Sequence, residues 1–238
     1  MAQAPSDMRD VNARGLIFSS IRRSLGVSGS EAPRRTAVAD RLAHHPAGIV
    51  PARGQLPPRE RLALFRAMVE AAAGSVEDVP SAADVPGALA AFLRAKNLPM
   101  SVRRGEDPRL SAMPWQRERT LDVKVGPSDG KDLAAISHAF GAAAESGTLM
   151  LLSGADNPTT LNFLPDTHVV VVDAKDVAGD YETLWTRLRE KFGDGLMPRT
   201  VNLITGPSRS ADIEQTLILG AHGPRRLHVM VVGELDRA

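Results

Sequence analysis

The segment Thr205-Gly206-Pro207-Ser208-Arg209-Ser210-Ala211-Asp212-Ile213-Glu214 follows directly on the apolar run Val201-Asn202-Leu203-Ile204. Its composition reads as a strand, a tight turn and the start of a helix. Gly206 permits a sharp bend, Pro207 suits a helix entry, and Ser208 or Ser210 can accept from exposed N–H groups. N–H groups gathered at a helix start also attract anions. The same residues serve either a well-capped connection or a binding loop. A second turning segment, Gly220-Ala221-His222-Gly223-Pro224, precedes the strand-like Leu227-His228-Val229-Met230-Val231-Val232. A short helix over 213–219 is expected to join the two loops, which then frame one structural feature.

Upstream, Glu145-Ser146-Gly147-Thr148 is expected to close a helix over 133–144 and to open a strand at 148–152. Further strands are expected at 168–172, 201–204 and 227–232. They are nearly continuous apolar runs, the signature of a sheet covered on both faces. A crossover helix over 181–192 separates two of them. Earlier in the chain, Leu62, Phe65, Met68, Val69 and Ala72 form a helical stripe, 85–95 reads as a helix with Pro86 in its first turn, and 121–125 alternates like a half-solvated strand. This rhythm predicts a layered α/β domain, a sheet with helices on both faces. Residues 9–25 carry apolar positions at helical spacing, whereas 26–58 are rich in Gly, Ser, Pro and Arg and read as a mobile linker or an arm that orders on a partner. The expected division is an N-terminal helix with a flexible linker at 1–58 and an α/β domain at 59–238.

The order Glu-Ser-Gly-Thr plus strand, then Leu164-Pro165-Asp166-Thr167-His168 plus strand, then Gly206-Pro207-Ser208-Arg209-Ser210-Ala211-Asp212-Ile213-Glu214 and Gly220-Ala221-His222-Gly223-Pro224, resembles the LUD domain family, and more closely its lactate-utilisation protein C branch. Gly15-Leu16-Ile17-Phe18-Ser19-Ser20-Ile21-Arg22 also looks like that branch's opening helix. The resemblance implies a fold similar to the NagB, ribose-5-phosphate isomerase and CoA-transferase-like superfamily. It also implies a role in bacterial L-lactate oxidation, lactate to pyruvate, beside separate iron–sulfur proteins. Two departures stand out. The family usually carries an arginine in the loop where this chain has Asn157-Pro158-Thr159-Thr160, and Ser146 replaces its usual threonine.

Composition narrows the chemistry. At 238 residues the chain is long enough to bury a full core. Its formal net charge of +1 gives no global field for nucleic acid or an anionic membrane surface. The absence of cysteine excludes disulfides, thiol nucleophiles and cysteine-ligated clusters on this polypeptide, so any iron–sulfur chemistry belongs to another chain. The N-terminus lacks a signal-peptide pattern and no apolar run reaches membrane-spanning length, which leads to the expectation of a cytoplasmic protein without a membrane span. Neither a dinucleotide fingerprint, nor a P-loop, nor metal-ligand spacing is present, so the expectation is no cofactor and no bound metal.

Among candidate side chains, Glu145 is the best single acid: it lies beside Gly147, where backbone approaches closely, and the superfamily that the chain resembles uses an acid in a comparable setting. Its alternative role is to bond nearby N–H groups. His222, exposed between glycines at a strand entrance, is the best proton-transfer candidate. His168 has a weaker case. Gly147, Thr148, Gly206, Ser208, Arg209, Ser210, Asp212 and Gly223 are the expected ligand-binding set, with Asp212 better suited to hold its loop in shape than to act as an acid or base. Two readings follow. The first is a non-redox, accessory subunit of an L-lactate-oxidising complex. The second is an independent CoA-transferase-like or isomerase-like enzyme acting on a small anionic metabolite through Glu145 and His222.

Overall fold

The computed structural model describes residues 8–193, 195–210, 218–220 and 222–233. It divides into two compact units, Met1–Gly48 and Ile49–Ala238. In the first, α1 (Met8–Leu25) forms where helical spacing predicts it, with Arg22 and Arg23 near the negative end of its dipole. A second helix, α2 (Ala32–His44), occupies part of the stretch expected to be a linker. Pro33 in its first turn and the good helix formers Arg34, Arg35, Ala37, Ala39, Arg41 and Leu42 support it locally, although α2 buries none of its side chains.

The second unit begins with α3 (Pro58–Ala71), which buries Leu62, Phe65 and Val69 of the predicted stripe. Strand β1 (Ser75–Val79), helix α4 (Val85–Ala95), strand β2 (Ser101–Arg104), the single turn α5 (Pro108–Ser111) and strand β3 (Asp122–Val125) follow. Then come β4 (Ala134–His138), β5 (Gly141–Ala143), β6 (Thr148–Leu152), the short α6 (Thr159–Phe163) and β7 (Thr167–Asp173). The chain closes through β8 (Val177–Ala178), α7 (Tyr181–Phe192), β9 (Val201–Ile204), the two-residue strands β10 (Arg209–Ser210) and β11 (Ile218–Leu219), and β12 (Arg226–Val232).

Six strands form one sheet in the order β1-β12-β7-β4-β2-β3, and every pairing in it is parallel. A second sheet, β8-β5-β6-β9, is mixed. Alternation along the central strands shows how the layers assemble. Val169 and Val171 of β7 and Met230 of β12 pack with Leu89 and Leu93 of α4 on one face; Val170, Val172, Val229 and Val231 pack with Phe65 and Val69 of α3 and Leu149 of β6 on the other. Both faces are covered, so these strands read as unbroken apolar runs. The second sheet in turn packs Ala143 and Met150 against Leu184 of α7. The layered α/β expectation therefore holds, with helices on both sides and the small second sheet interposed under α7.

Three local expectations are overturned. Residues 133–144 form β4 and β5, not a helix. Alanine favours a helix in isolation, but all five residues of β4 are buried between β2 and β7, leaving no polar stripe for a helix to present. Glu145 consequently sits in a hairpin: β5 and β6 pair antiparallel with Ala143 opposite Thr148, and Gly147 takes φ +67° in the connecting turn. Finally, Arg209 and Ser210 form an antiparallel ribbon with Leu219 and Ile218, so no helix begins at Ser208 to Ser210. The rest of the expected 213–219 helix, like Asp212, lies outside the described residues.

Candidate functional site

A partly open cavity of about 290 Å³ lies where the two Gly-Pro loops meet the amino ends of β7 and β12. Ser208 knits the loops together. Its N–H donates to Pro224 O at 2.9 Å, its carbonyl accepts from Gly220 N at 2.9 Å, and its hydroxyl accepts from His222 N at 3.3 Å. Gly206 is required by geometry. With φ +71°, it lies so close to α3 that a Cβ there would come within 2.2 Å of Ala72 O. Arg209 reaches the same carbonyl with its guanidinium, capping the negative end of α3. The ribbon thus spends the Ser208 N–H on Pro224, and the charge expected for a helix-start anion site is carried by Arg209 alone at the rim.

The floor is polar and buried. His168 and Asn162, 0% and 1% exposed, both line the cavity. The Ser137 hydroxyl donates to Asn162 Oδ1 at 3.4 Å and lies 3.0 Å from His168 Nε2, which makes Nε2 the protonated ring nitrogen and leaves Nδ1 with a free lone pair. Neither His168 Nδ1 nor Asn162 Nδ2 has a partner among the described residues. Burial drives the His168 pKa from 6.5 down to about 3, so the ring is neutral at ordinary pH. Two residues of the cavity lining, joined through Ser137, thus carry one unpartnered acceptor and one unpartnered donor, the polarity that a hydroxyl group complements.

The structure brings together Gly206, Ser208, Arg209, His222 and Gly223 of the expected set. Ser210 follows Arg209 in the ribbon. Thr148 approaches from behind: its hydroxyl lies 2.6 Å from that of Thr205, which lines the cavity, and 2.7 and 2.5 Å from the Ser146 and Tyr181 hydroxyls. Gly147 instead packs on α3, where a Cβ would meet Val69 N at 2.6 Å. Glu145 does not belong to the cavity wall. It is 4% exposed, and its Oε1 accepts from Tyr181 N at 3.1 Å. This matches its backbone-bonding alternative. His168 and Asn162 are the residues that sequence reasoning undervalued. The available signal was polarity out of place, a histidine opening the run Val169-Val170-Val171-Val172 and an asparagine between Leu161 and Phe163.

The polar cluster around His228 serves a different purpose. Ser75 Oγ lies 2.8 Å from His228 Nδ1, and His228 Nε2 lies 3.3 Å from Glu77 Oε2, but the ring is stacked on Phe92 at 3.9 Å and serves packing between β1, β12 and α4. Among the described residues no group of three or more His, Asp or Glu could hold a metal ion, and no helix is long and apolar enough to cross a membrane.

Comparison with known proteins places the cavity in a family context. A lactate utilization protein C from Geobacillus sp. (strain WCH70) is 39% identical over 90 residues, 37% of each chain. Another from Geobacillus thermodenitrificans is 36% identical over 145 residues, 53% of this chain and 60% of that one. The matches thus span 37% and 60% of these relatives' own lengths. The crystal structure of a DUF162 family protein from Deinococcus radiodurans superposes with a TM-score of 0.55 at 27% identity, covering 75% of this chain and 99% of that one. Residues 131–232, which run from β4 through β12 and include every described residue of the cavity wall, match the LUD domain family model.

Proposed function

We propose that this chain is the non-redox component of a lactate-utilisation system and that its cavity holds a small 2-hydroxy or 2-oxo acid. The name shared by the similar relatives supports the pathway, and the unpartnered pair His168 Nδ1 and Asn162 Nδ2 is the observation that carries the ligand. In L-lactate the hydroxyl donates to His168 Nδ1 and accepts from Asn162 Nδ2, while its carboxylate turns to the rim and the Arg209 guanidinium. In pyruvate the keto oxygen accepts from Asn162 and leaves His168 without a donor, so the neutral ring distinguishes substrate from product. The chain holds or hands over the acid, and separate iron–sulfur proteins in the cytoplasm take the electrons. The enzyme alternative is weakened by geometry, since Glu145 is engaged with Tyr181 N outside the cavity wall.

We extend the proposal to the chain's organisation: residues 59–238 act as the LUD-type domain, similar in fold to the NagB and CoA-transferase-like superfamily, and residues 1–58 as an arm toward a partner. Within that arm the turn at Ala52–Gly54 lies tight against Gly179.

Calorimetric titration tests the ligand claim. L-Lactate is expected to bind at millimolar strength, about 4 kcal/mol, and Asn162→Leu to abolish the heat. Equal binding to both proteins would refute it. Co-purification with iron–sulfur proteins from native cells tests the partner claim, and recovery of the chain alone would count against it.

A further inference from the structure

A second cavity, of about 310 Å³, opens at the other end of the parallel sheet, lined in part by Asp107, Arg109, His138, Asp156, Asn157 and Lys191. His138 is the last residue of β4, and Asp107 and Arg109 follow β2. In parallel α/β sheets, ligands collect beyond these carboxyl ends. The first cavity instead adjoins the amino ends of β7 and β12, so each of these seven-residue strands, roughly 20 Å long, separates the two.

The groups around this second cavity have a definite charge pattern. Arg109 grips the buried Asp107 carboxylate with Nε at 3.1 Å and Nη2 at 2.7 Å, and donates through Nη1 to Ala139 O at 3.2 Å. Burial works against ionisation of Asp107, but the hydrogen bonds and charge of Arg109 outweigh it and hold the carboxyl below its usual range. Three of the five guanidinium N–H donors are spent in this way, and two remain. The Lys191 ammonium lies over the Phe140 and Phe192 rings at 5.4 and 5.7 Å, without an ion-pair partner among the described residues.

Facing these cations are acceptors without donors. His138 Nδ1 donates to Ala139 O at 3.0 Å, which fixes Nε2 as a lone pair, 3.9 Å from Asp173 Oδ2. Burial and then the neighbouring Arg109 keep the ring's pKa below its ordinary value, so Nε2 stays unprotonated near neutrality. The Oδ1 of Asn157, a residue 4% exposed, has no partner among the described residues. With Asp107 neutralised by Arg109, Lys191 stands against two carboxylates, Asp156 at the wall and Asp173 behind His138. A simple anion leaves these acceptors unmet and faces Asp156 and Asp173, and a simple cation leaves the Arg109 donors unused.

We propose that this second cavity binds a small zwitterion of the amino-acid type. Its carboxylate takes the two remaining Arg109 donors beside Lys191, and its ammonium donates to Asn157 Oδ1 and His138 Nε2 within the field of Asp156 and Asp173. This site is independent of the lactate-utilisation reading.

L-Alanine and L-lactate have the same skeleton and differ only in carrying an ammonium or a hydroxyl, which makes them the decisive pair. Titration of each into the full chain, followed through the Asn157 side-chain amide and the His138 ring in NMR spectra, is expected to show saturable shifts with L-alanine at millimolar concentration. Acetate, L-lactate and ethylamine should bind there at least tenfold more weakly. Asn157→Leu and Lys191→Gln should each weaken L-alanine by tenfold or more, and Asn162→Leu, in the first cavity, should leave it unchanged. Acetate or L-lactate binding as tightly as L-alanine would overturn the charge assignment. Silence of both probes toward L-alanine, or Asn157→Leu binding as well as the native chain, would overturn the site. None of these results bears on L-lactate at the Asn162 cavity, whose response is read separately at the Asn162 amide.

Discussion

Acid should unfold this protein earlier than its carboxylates alone would dictate, and the residue responsible is His168. Folded, its pKa is pushed by burial to about 3, and in the unfolded chain it returns to 6.5. As pH falls below 6.5 the unfolded state takes up a proton that the folded state refuses, so stability is lost, and the loss continues until the pH nears the folded value. Each proton bound only by the unfolded state costs about 1.4 kcal/mol per pH unit. Between pH 8 and pH 5 this amounts to roughly 2 kcal/mol for His168. His228, lowered to about 4 by burial and then by Lys96, adds a comparable loss. At pH 5 these figures hardly depend on the folded values, because both lie well below it. The variant to compare is His168→Gln, whose amide can keep the hydrogen bond to Ser137. Urea unfolding at pH 8 and pH 5 should show the native chain losing about 2 kcal/mol more than the variant over that interval. Parallel losses would mean that His168 titrates freely in the folded state, and the account of a sealed, neutral cavity floor would fail.

Three further outcomes follow from the geometry. Thr148→Val removes the hydroxyl shared by Ser146, Tyr181 and Thr205 and should cost about 1–3 kcal/mol in chemical denaturation, with little change at pH 5 relative to pH 8. Gly54→Ala drives a methyl to within 2.2 Å of Gly179 O and should lower stability by at least about 2 kcal/mol, detectable as a drop in Tm. Arg209→Ala should weaken L-lactate roughly tenfold by calorimetry, equivalent to about 1.4 kcal/mol, while the lost cap on α3 changes stability by less than about 1 kcal/mol.

The parts of the molecule legible from sequence were those in which one element decides its own burial. The stripe Leu62, Phe65 and Val69 needs only a single apolar face, and β7 and β12 announce themselves as valine-rich runs because both their faces are covered. Residues 133–144 were misread because alanine carries a helical preference and no polarity contrast, and only pairing with β2 and β7 makes 134–138 a strand. That error displaced Glu145 from a hairpin turn to a helix end and made it resemble a free acid. At the site, the two Gly-Pro loops were correctly read as neighbours, since glycine and proline encode their turns locally. The ribbon of β10 and β11 was not legible, because a two-residue strand carries no period. The floor was missed for a different reason. The sequence marks His168 and Asn162 only as polar residues out of place, and the fold alone shows that their hydrogen bonds are unmet.

The central claim is that the bare acceptor and donor on the cavity floor receive the hydroxyl of a 2-hydroxy acid. The most direct measurement is a crystal structure of the full chain grown with saturating L-lactate. The account predicts lactate in the cavity between the Gly206 and Gly223 loops, its hydroxyl within hydrogen-bond distance of both His168 Nδ1 and Asn162 Nδ2 and its carboxylate toward Arg209. An ordered, empty cavity at saturation, or lactate seated with its hydroxyl away from both atoms, would contradict it.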